Sequence, residues 1–228
     1  MIITIDGPSA SGKSSVAQAL AQKLNFYYLN TGLLYRAVAY VIFEKITSKK
    51  SHDLIFWLSK SQDFSFIEDL SYKYIDNKSH IFFHGHDITN YLSDSHIGQG
   101  SSIIAVHKEI REKLLLLQRS LGQEHSIVVD GRDCGSVVFP DAQYKFFLTA
   151  SLEVRAQREL CDPKRNHQEQ DQKHDLEQIK KTLQERDQRD REREIAPLIV
   201  PKGAITIDNS GLNLQETIDL FLSYIKNV

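Results

Sequence analysis

The sequence predicts an α/β fold: a parallel sheet with helices on both faces. Three observations predict it. Short apolar runs at Ile2–Asp6, Ser126–Asp130, Lys145–Thr149 and Ala204–Asp208 read as buried strands. Helical periodicity fills the stretches between them, and alternating strands and helices build a parallel sheet. The first strand also runs straight into Gly7-Pro8-Ser9-Ala10-Ser11-Gly12-Lys13-Ser14. That is Gly-x-x-x-x-Gly-Lys-Ser, the phosphate-cradling P-loop pattern, placed between a strand and a helix as it must be to work.

The elements follow in order. Gly12–Leu24 is expected to be helical, with Val16, Leu20 and Leu24 on one face. Phe26–Leu29 is a short apolar segment. Thr31–Glu44 reads as a helix capped by Asn30 or Thr31. Between Lys49 and Asp87 the composition turns to Ser, Lys, His and aromatics with short alternating runs, which predicts an inserted small β or α+β piece. Within it, Phe64, Phe66, Phe82 and Phe83 are expected to form the insert's own core, and His84-Gly85-His86 to be surface residues of a hairpin. Ser93–Val106, Glu109–Leu121 and Ser151–Cys161 read as helices. From Asp162 to Asp175 the only residue that is not polar is Pro163, which predicts a mobile solvated loop. Leu176–Glu194 is a highly charged helix ending before Pro197, and Leu214–Ile225 a final amphipathic helix. In such a sheet ligands gather at the carboxyl ends of the strands. That places Asp6/Gly7, Asp130/Gly131, Thr149/Ala150 and Asp208 around one crevice.

Composition bounds the function. The chain has 228 residues, 41% hydrophobic and 25% charged, with a net charge of −2. Such a length buries a sizeable core without disulfides. The balance of charge offers nothing that attracts nucleic acid or an anionic membrane. The two cysteines, Cys134 and Cys161, have neither metal-ligand spacing nor a Cys-x-x-Cys arrangement, which fits a reduced interior. No apolar run approaches the roughly 18 residues of a membrane helix. With the first strand starting at Ile2, no targeting segment is expected, and the protein is expected to be cytoplasmic.

Four constellations carry chemistry. In the first, Gly7 and Gly12 let the backbone turn its N–H groups toward an anion, at the positive end of the helix that follows. Residues Gly7 to Ser15 therefore form the candidate triphosphate cradle. Lys13 can reach the β- and γ-phosphates, and the Ser14 hydroxyl can ligate Mg²⁺. In the second, Asn30-Thr31-Gly32-Leu33-Leu34-Tyr35-Arg36, Thr31 and the Gly32 N–H can hold a phosphate oxygen, and Arg36 can add a bidentate contact. The third is Asp130-Gly131-Arg132-Asp133-Cys134-Gly135, directly after a β-branched strand. Asp130 stands where a carboxylate holds Mg²⁺, and Arg132 with Asp133 can read a polar base or a phosphate. The fourth is the charged run Glu185 to Glu194. Arg186, Arg189/Asp190 and Arg193 recur at helical spacing and gather guanidiniums on one face. A helix of this kind, behind a polar loop, can close as a lid that excludes water.

Together these segments resemble bacterial cytidylate kinases, which are nucleoside monophosphate kinases. The stretch Asp130 to Ala142 is similar to that family's most distinctive segment, and Glu185-Arg186-Asp187 through Ala196-Pro197-Leu198 resembles its lid helix. The likeness spans nearly the whole chain. It implies transfer of the ATP γ-phosphoryl group to CMP or dCMP, with Mg²⁺ held by Ser14 and Asp130. By the same resemblance Thr31, Arg36, Ser102, Arg111, Arg132 and Asp133 surround the monophosphate, with Arg111 and Asp133 reading cytosine. Arg186 and Asp190 would contact the sugar and Arg193 the phosphates, while Lys13, Arg186, Arg189 and Arg193 would neutralise the transferring group. The resemblance divides the chain into a core (1–48, 88–160 and 195–228), an inserted part of the monophosphate-binding domain (49–87) and a lid (161–194). A monomer acting on small molecules is expected. The sequence departs from the family's usual pattern at Ala10, Ser15, Asn30 and Cys134. Two other classes stay open on the residues alone. One is another P-loop kinase, acting on UMP, AMP or a non-nucleotide alcohol. The other is a GTP-dependent switch, although its Asn-Lys-x-Asp signature is matched no better than by Asn77-Lys78-Ser79-His80.

Overall fold

A computed structural model describes residues 1–46, 50–61, 63–162 and 176–225. Most of the polar loop expected over 162–175 thus lies outside the described residues. The chain divides into two compact units, Met1–Leu29 with Gly122–Val228, and Asn30–Leu121.

The first unit is built on a five-stranded sheet ordered β2-β6-β1-β7-β8. Its strands are β1 (Ile2–Asp6), β2 (Tyr27–Asn30), β6 (Ile127–Gly131), β7 (Tyr144–Thr149) and β8 (Ile205–Asp208). β1 runs parallel to both β6 and β7, and β7 parallel to β8. Ile3, Thr4 and Ile5 are fully buried, as are Ile127, Val128 and Val129. Successive strand residues point to opposite faces, so both faces of the sheet are covered, as the apolar runs require. Helix α1 (Lys13–Leu24) packs on β6 and on the C-terminal helix α8 (Leu214–Tyr224). Phe221 of α8 lies 4.4 Å from the Phe146 ring of β7. Val16 and Leu20 of the predicted face are buried with Ala17 and Ala21, whereas Leu24 sits at the margin. α8 begins with a reciprocal capping box between Asn213 and Glu216. Helix α6 (Leu152–Leu160) follows β7, capped by the Ser151 hydroxyl, and packs against α7 (Leu176–Glu192). α7 stops two residues before the expected Glu194.

The register puts Asp6 beside Gly131 and Thr149 beside Asp208, so the carboxyl ends of four strands share one end of the sheet. The loop after β6 holds a feature absent from the sequence reading. Cys134–Val138 forms a turn of π-helix, in which Val138 and Phe139 N–H donate to Asp133 and Cys134 carbonyls.

The second unit contains α2 (Thr31–Lys45), α3 (Ser51–Lys60), α4 (Ser95–Ile104), most of α5 (Lys108–Glu124), and an antiparallel sheet of β3 (Leu70–Ile75), β4 (Lys78–Phe83) and β5 (His86–Asp87). The expected insert therefore pairs one helix with a three-stranded meander. Phe64 and Phe66 are core residues as expected, while Phe82 and Phe83 are only half-buried. His84, Gly85 and His86 are exposed at the β4–β5 turn.

Candidate active site

The P-loop is shaped by close backbone approach. A Cβ on Gly7 would come within 2.0 Å of the Leu148 carbonyl oxygen, so only glycine lets the chain leave β1 across β7. Gly12 caps α1 in the left-handed region at φ 89°. Ala10 also stands there, at φ 58°, where an L side chain costs about 1 kcal/mol or more.

Ser9 is held by three different elements. Its N–H donates to Asp187 Oδ1 (2.9 Å), its carbonyl accepts from Arg155 Nη1 (2.9 Å), and its hydroxyl accepts from Arg132 Nη2 (3.0 Å). Arg155 and Asp187 also form an ion pair with each other at 2.5 Å, and Arg155 Nε donates to the Ala150 carbonyl. On the other side of the loop, Ser11 O accepts from Arg158 Nη1 (3.2 Å) and Asn209 Nδ2 (3.2 Å).

Lys13 is buried, and its ammonium donates to Pro8 O at 2.6 Å. Burial pushes it down to about 7; Arg132 adds to that, and Asp130, Asp187 and Asp190 oppose it. The Ser14 hydroxyl donates to Asp130 Oδ2 at 2.8 Å, and Tyr28 donates to Oδ1 at 2.8 Å. Burial raises the Asp130 carboxyl against the pull of Lys13 and these two hydroxyls. A serine hydroxyl beside a buried carboxylate is an all-oxygen pair that fits a hard divalent cation such as Mg²⁺.

The loop after β6 meets the charged helix. Arg132 Nε donates to Asp190 Oδ2 at 2.8 Å, and Arg193 Nη2 to Asp133 Oδ1 at 3.1 Å. Arg193 and Asp133 are both buried. Burial acts to lower the Arg132 guanidinium, yet Asp190, Asp187 and Asp130 hold it above its usual value. Burial and the neighbouring Arg132 lower Arg186, which has no hydrogen-bond or ion-pair partner among the described residues. Among the described residues Arg186 thus stands near the cradle as a guanidinium without a hydrogen-bond partner, an arrangement suited to an incoming polyphosphate.

In the second unit, Asn30 caps α2, its side chain accepting from Leu33 N–H, while its own N–H donates to the Tyr72 hydroxyl at 3.0 Å. Thr31 is buried in the first turn and Gly32 exposed. Arg36 Nη1 donates to Leu92 O at 2.7 Å. Arg111 is buried, donates to Ala105 O and lies over the Tyr35 ring at 5.6 Å. Ser102 is half-buried on α4.

With this geometry in place, a family model described as cytidylate kinase matches residues 3–227. The chain belongs to the cytidylate kinase family. A cytidylate kinase of Enterococcus faecalis is 34% identical over 98% of this chain and 95% of its own length. One of Caldanaerobacter subterraneus subsp. tengcongensis is 38% identical over 95% of this chain and 91% of its own length. Among solved structures, an uncharacterised protein from Eubacterium ventriosum matches with a TM-score of 0.53 at 13% identity, over 100% of this chain and 99% of that one, which is a likeness of fold.

Of the residues expected at a cytidylate kinase site, the first unit brings together Lys13, Ser14, Asp130, Arg132, Asp133, Asp190 and Arg193 with the P-loop. Arg189 is not among them: it is exposed, and its Nε donates to Glu185 O of its own helix. Asp208 is also turned away. It is exposed and accepts from Ser210, while Asn209 beside it reaches the P-loop. Sequence reasoning missed Tyr28, Arg155, Arg158, Asp187 and Asn209. The one local signal was the Arg155/Arg158 spacing, which puts two guanidiniums on neighbouring turns after a buried strand.

Proposed function

We propose that this protein phosphorylates CMP or dCMP at the expense of ATP, giving CDP or dCDP and ADP, with the P-loop holding the ATP phosphates. Family membership supports the reaction. The geometric observation behind the site reading is the crossed pairing of Arg132 with Asp190 and of Arg193 with Asp133, set against Lys13 and the Ser14–Asp130 pair. The nucleophile is a phosphate oxygen of the acceptor, already anionic near neutral pH, so the protein needs no general base. Its contribution is positioning and charge neutralisation. Lys13 and Arg193 would balance charge on the transferring group, and Arg186, which has no hydrogen-bond partner among the described residues, would join them. A guanidinium in that role contributes roughly 10³–10⁵ in rate in related phosphoryl transfers. Ser14 and Asp130 would hold Mg²⁺, which supplies charge neutralisation across the phosphates when bound.

The same reading assigns Arg132 and Asp133 to acceptor recognition in the first unit, with Arg186 and Asp190 at its sugar. In the second it assigns Thr31, Gly32, Arg36 and Ser102 to the acceptor phosphate and sugar, and Arg111 to cytosine. Arg189, exposed and bonded to its own helix, is the weakest member of the proposed catalytic set. A cytoplasmic monomer acting on small molecules completes the reading; no helix among the described residues is long and apolar enough to cross a membrane.

The test is a coupled assay of ADP formation with ATP and Mg²⁺, offering CMP, dCMP, UMP, AMP, GMP and no acceptor in parallel. Strong turnover confined to CMP and dCMP is expected. Turnover with another acceptor, or only acceptor-independent hydrolysis, would overturn the reading.

A further inference from the structure

Asp6 is fully buried at the end of β1, and none of the roles assigned above uses it. Its two carboxylate oxygens take one backbone donor each: Cys134 N–H donates to Oδ1 and Gly135 N–H to Oδ2, both at 2.7 Å. The Cys134 side chain adds a hydrogen bond to the same carboxylate. This is one of the positions at which the chain departs from the usual pattern of its family. The fit leaves no slack. A Cβ on Gly135 would stand 2.6 Å from Thr4 Oγ1 and 3.3 Å from Asp6 Oδ2. The residues gripped in this way directly follow Arg132 and Asp133.

We infer that Asp6 is a positioning residue for acceptor recognition. By holding two consecutive amides of the loop after β6, it fixes where Arg132 and Asp133 present their charges. The inference rests on the proposed function. Two neighbouring N–H groups aimed at one carboxylate define both the height and the tilt of the loop above the sheet. Asp133 repels Asp6, so without the amide contacts the loop would move away from the strand end. Arg132 would then lose its reach to Asp190 and Ser9, and Asp133 its reach to Arg193. The P-loop would lose the Arg132 contact to the Ser9 hydroxyl but keep its anchors on Arg155, Asp187, Arg158 and Asn209. The inference therefore puts the main defect on the acceptor and at most a small one on the ATP side.

The experiment compares wild type, Asp6→Asn and Gly135→Ala, measuring KM and kcat for CMP and, separately, the dissociation constant of ADP. An asparagine keeps the shape but turns an N–H₂ donor toward one of the two amides. A rise in KM for CMP of roughly tenfold to hundredfold is expected, the scale of a lost hydrogen bond to a charged group, with ADP affinity within about twofold of wild type. A smaller change in KM, or an equal loss for ADP, would overturn the inference. Should Asp6→Asn fail to fold, Gly135→Ala is judged by the same criterion, because it displaces the loop with Asp6 intact. A wild type that binds ADP yet neither binds nor phosphorylates CMP would overturn the proposed function itself, and this inference with it.

Discussion

The Arg155–Asp187 pair offers the sharpest energetic test of how the P-loop is held. Both side chains are more than nine-tenths buried, at 8% and 6% exposure. Breaking a buried pair by removing one charge costs roughly 3–5 kcal/mol, because the survivor is left uncompensated. Asp187→Asn keeps an acceptor for the Ser9 N–H but strands the Arg155 charge, so about 3 kcal/mol is expected. Arg155→Met strands Asp187 and also empties the Ser9 and Ala150 carbonyls, so about 3–4 kcal/mol is expected. The double variant leaves neither charge of the pair stranded, only the lost carbonyl contacts at about 1 kcal/mol each and some lost packing, or about 3 kcal/mol together. The coupling is then about 3 kcal/mol, with the double variant costing no more than either single. At roughly 2–4 °C per kcal/mol, Asp187→Asn lowers Tm by about 6–12 °C. The assay is urea unfolding of the ligand-free protein followed by far-ultraviolet circular dichroism. Fluorescence would mislead, since the single tryptophan, Trp57, lies in the Asn30–Leu121 unit. Additive losses in the two single variants would refute the reasoning.

Lys13→Ala is expected to abolish most phosphoryl transfer while the protein folds normally by circular dichroism; near-normal turnover would remove Lys13 from the mechanism. Ala10→Gly relieves a left-handed side chain and gives back some unfolded-state freedom, for a net gain of about 0.5 kcal/mol in thermal unfolding. A loss there would mean that the Ala10 methyl packs usefully. Burial raises the Asp6 carboxyl from 3.8 to about 6, against the pull of the Gly135 and Cys134 amides. The folded state then binds more protons than the unfolded state between those values, so stability falls by about 2 kcal/mol as pH rises from 4 to 7. Asp6→Asn lacks this contribution, so its stability relative to wild type should improve over that range in urea titrations; a difference independent of pH would count against the burial argument.

Much of this was legible in the sequence because it is local. The P-loop, the strand before it and the helix after it are encoded within about twenty residues, and the buried strands announce themselves as unbroken apolar runs. The charged helix was harder. Between Leu183 and Ile195 no apolar residue marks its phase. Spacing alone put Arg189 beside Arg186 and Arg193, whereas the buried face runs through Leu183 and Asp187 toward Asp190. Asp187 stayed hidden because a carboxylate in a charge run looks solvated until its partner is known, and that partner, Arg155, is 32 residues away. The π-turn at Cys134–Val138 has no sequence signature of comparable strength, since its first two amides donate to Asp6, 128 and 129 residues away in the chain.

Ser9 and Ala10 show how these distant contacts act on a local motif. A glycine at position 10 would adopt the left-handed conformation freely; an alanine adopts it only if its surroundings leave no alternative. Here the preceding residue is fixed at its N–H by Asp187, at its carbonyl by Arg155 and at its hydroxyl by Arg132. The following residue is fixed at its carbonyl by Arg158 and Asn209. Five side chains from four separate segments thus over-determine one strained dihedral. The cradle keeps its shape through tertiary charge pairing more than through the intrinsic freedom of its glycines. The same pairing ties that shape to the charged helix: if α7 moved away, Asp187 would release Ser9, Asp190 would release Arg132, and the loop would be free to relax. In this chain, therefore, a formed phosphate cradle and a docked α7 are two aspects of one arrangement.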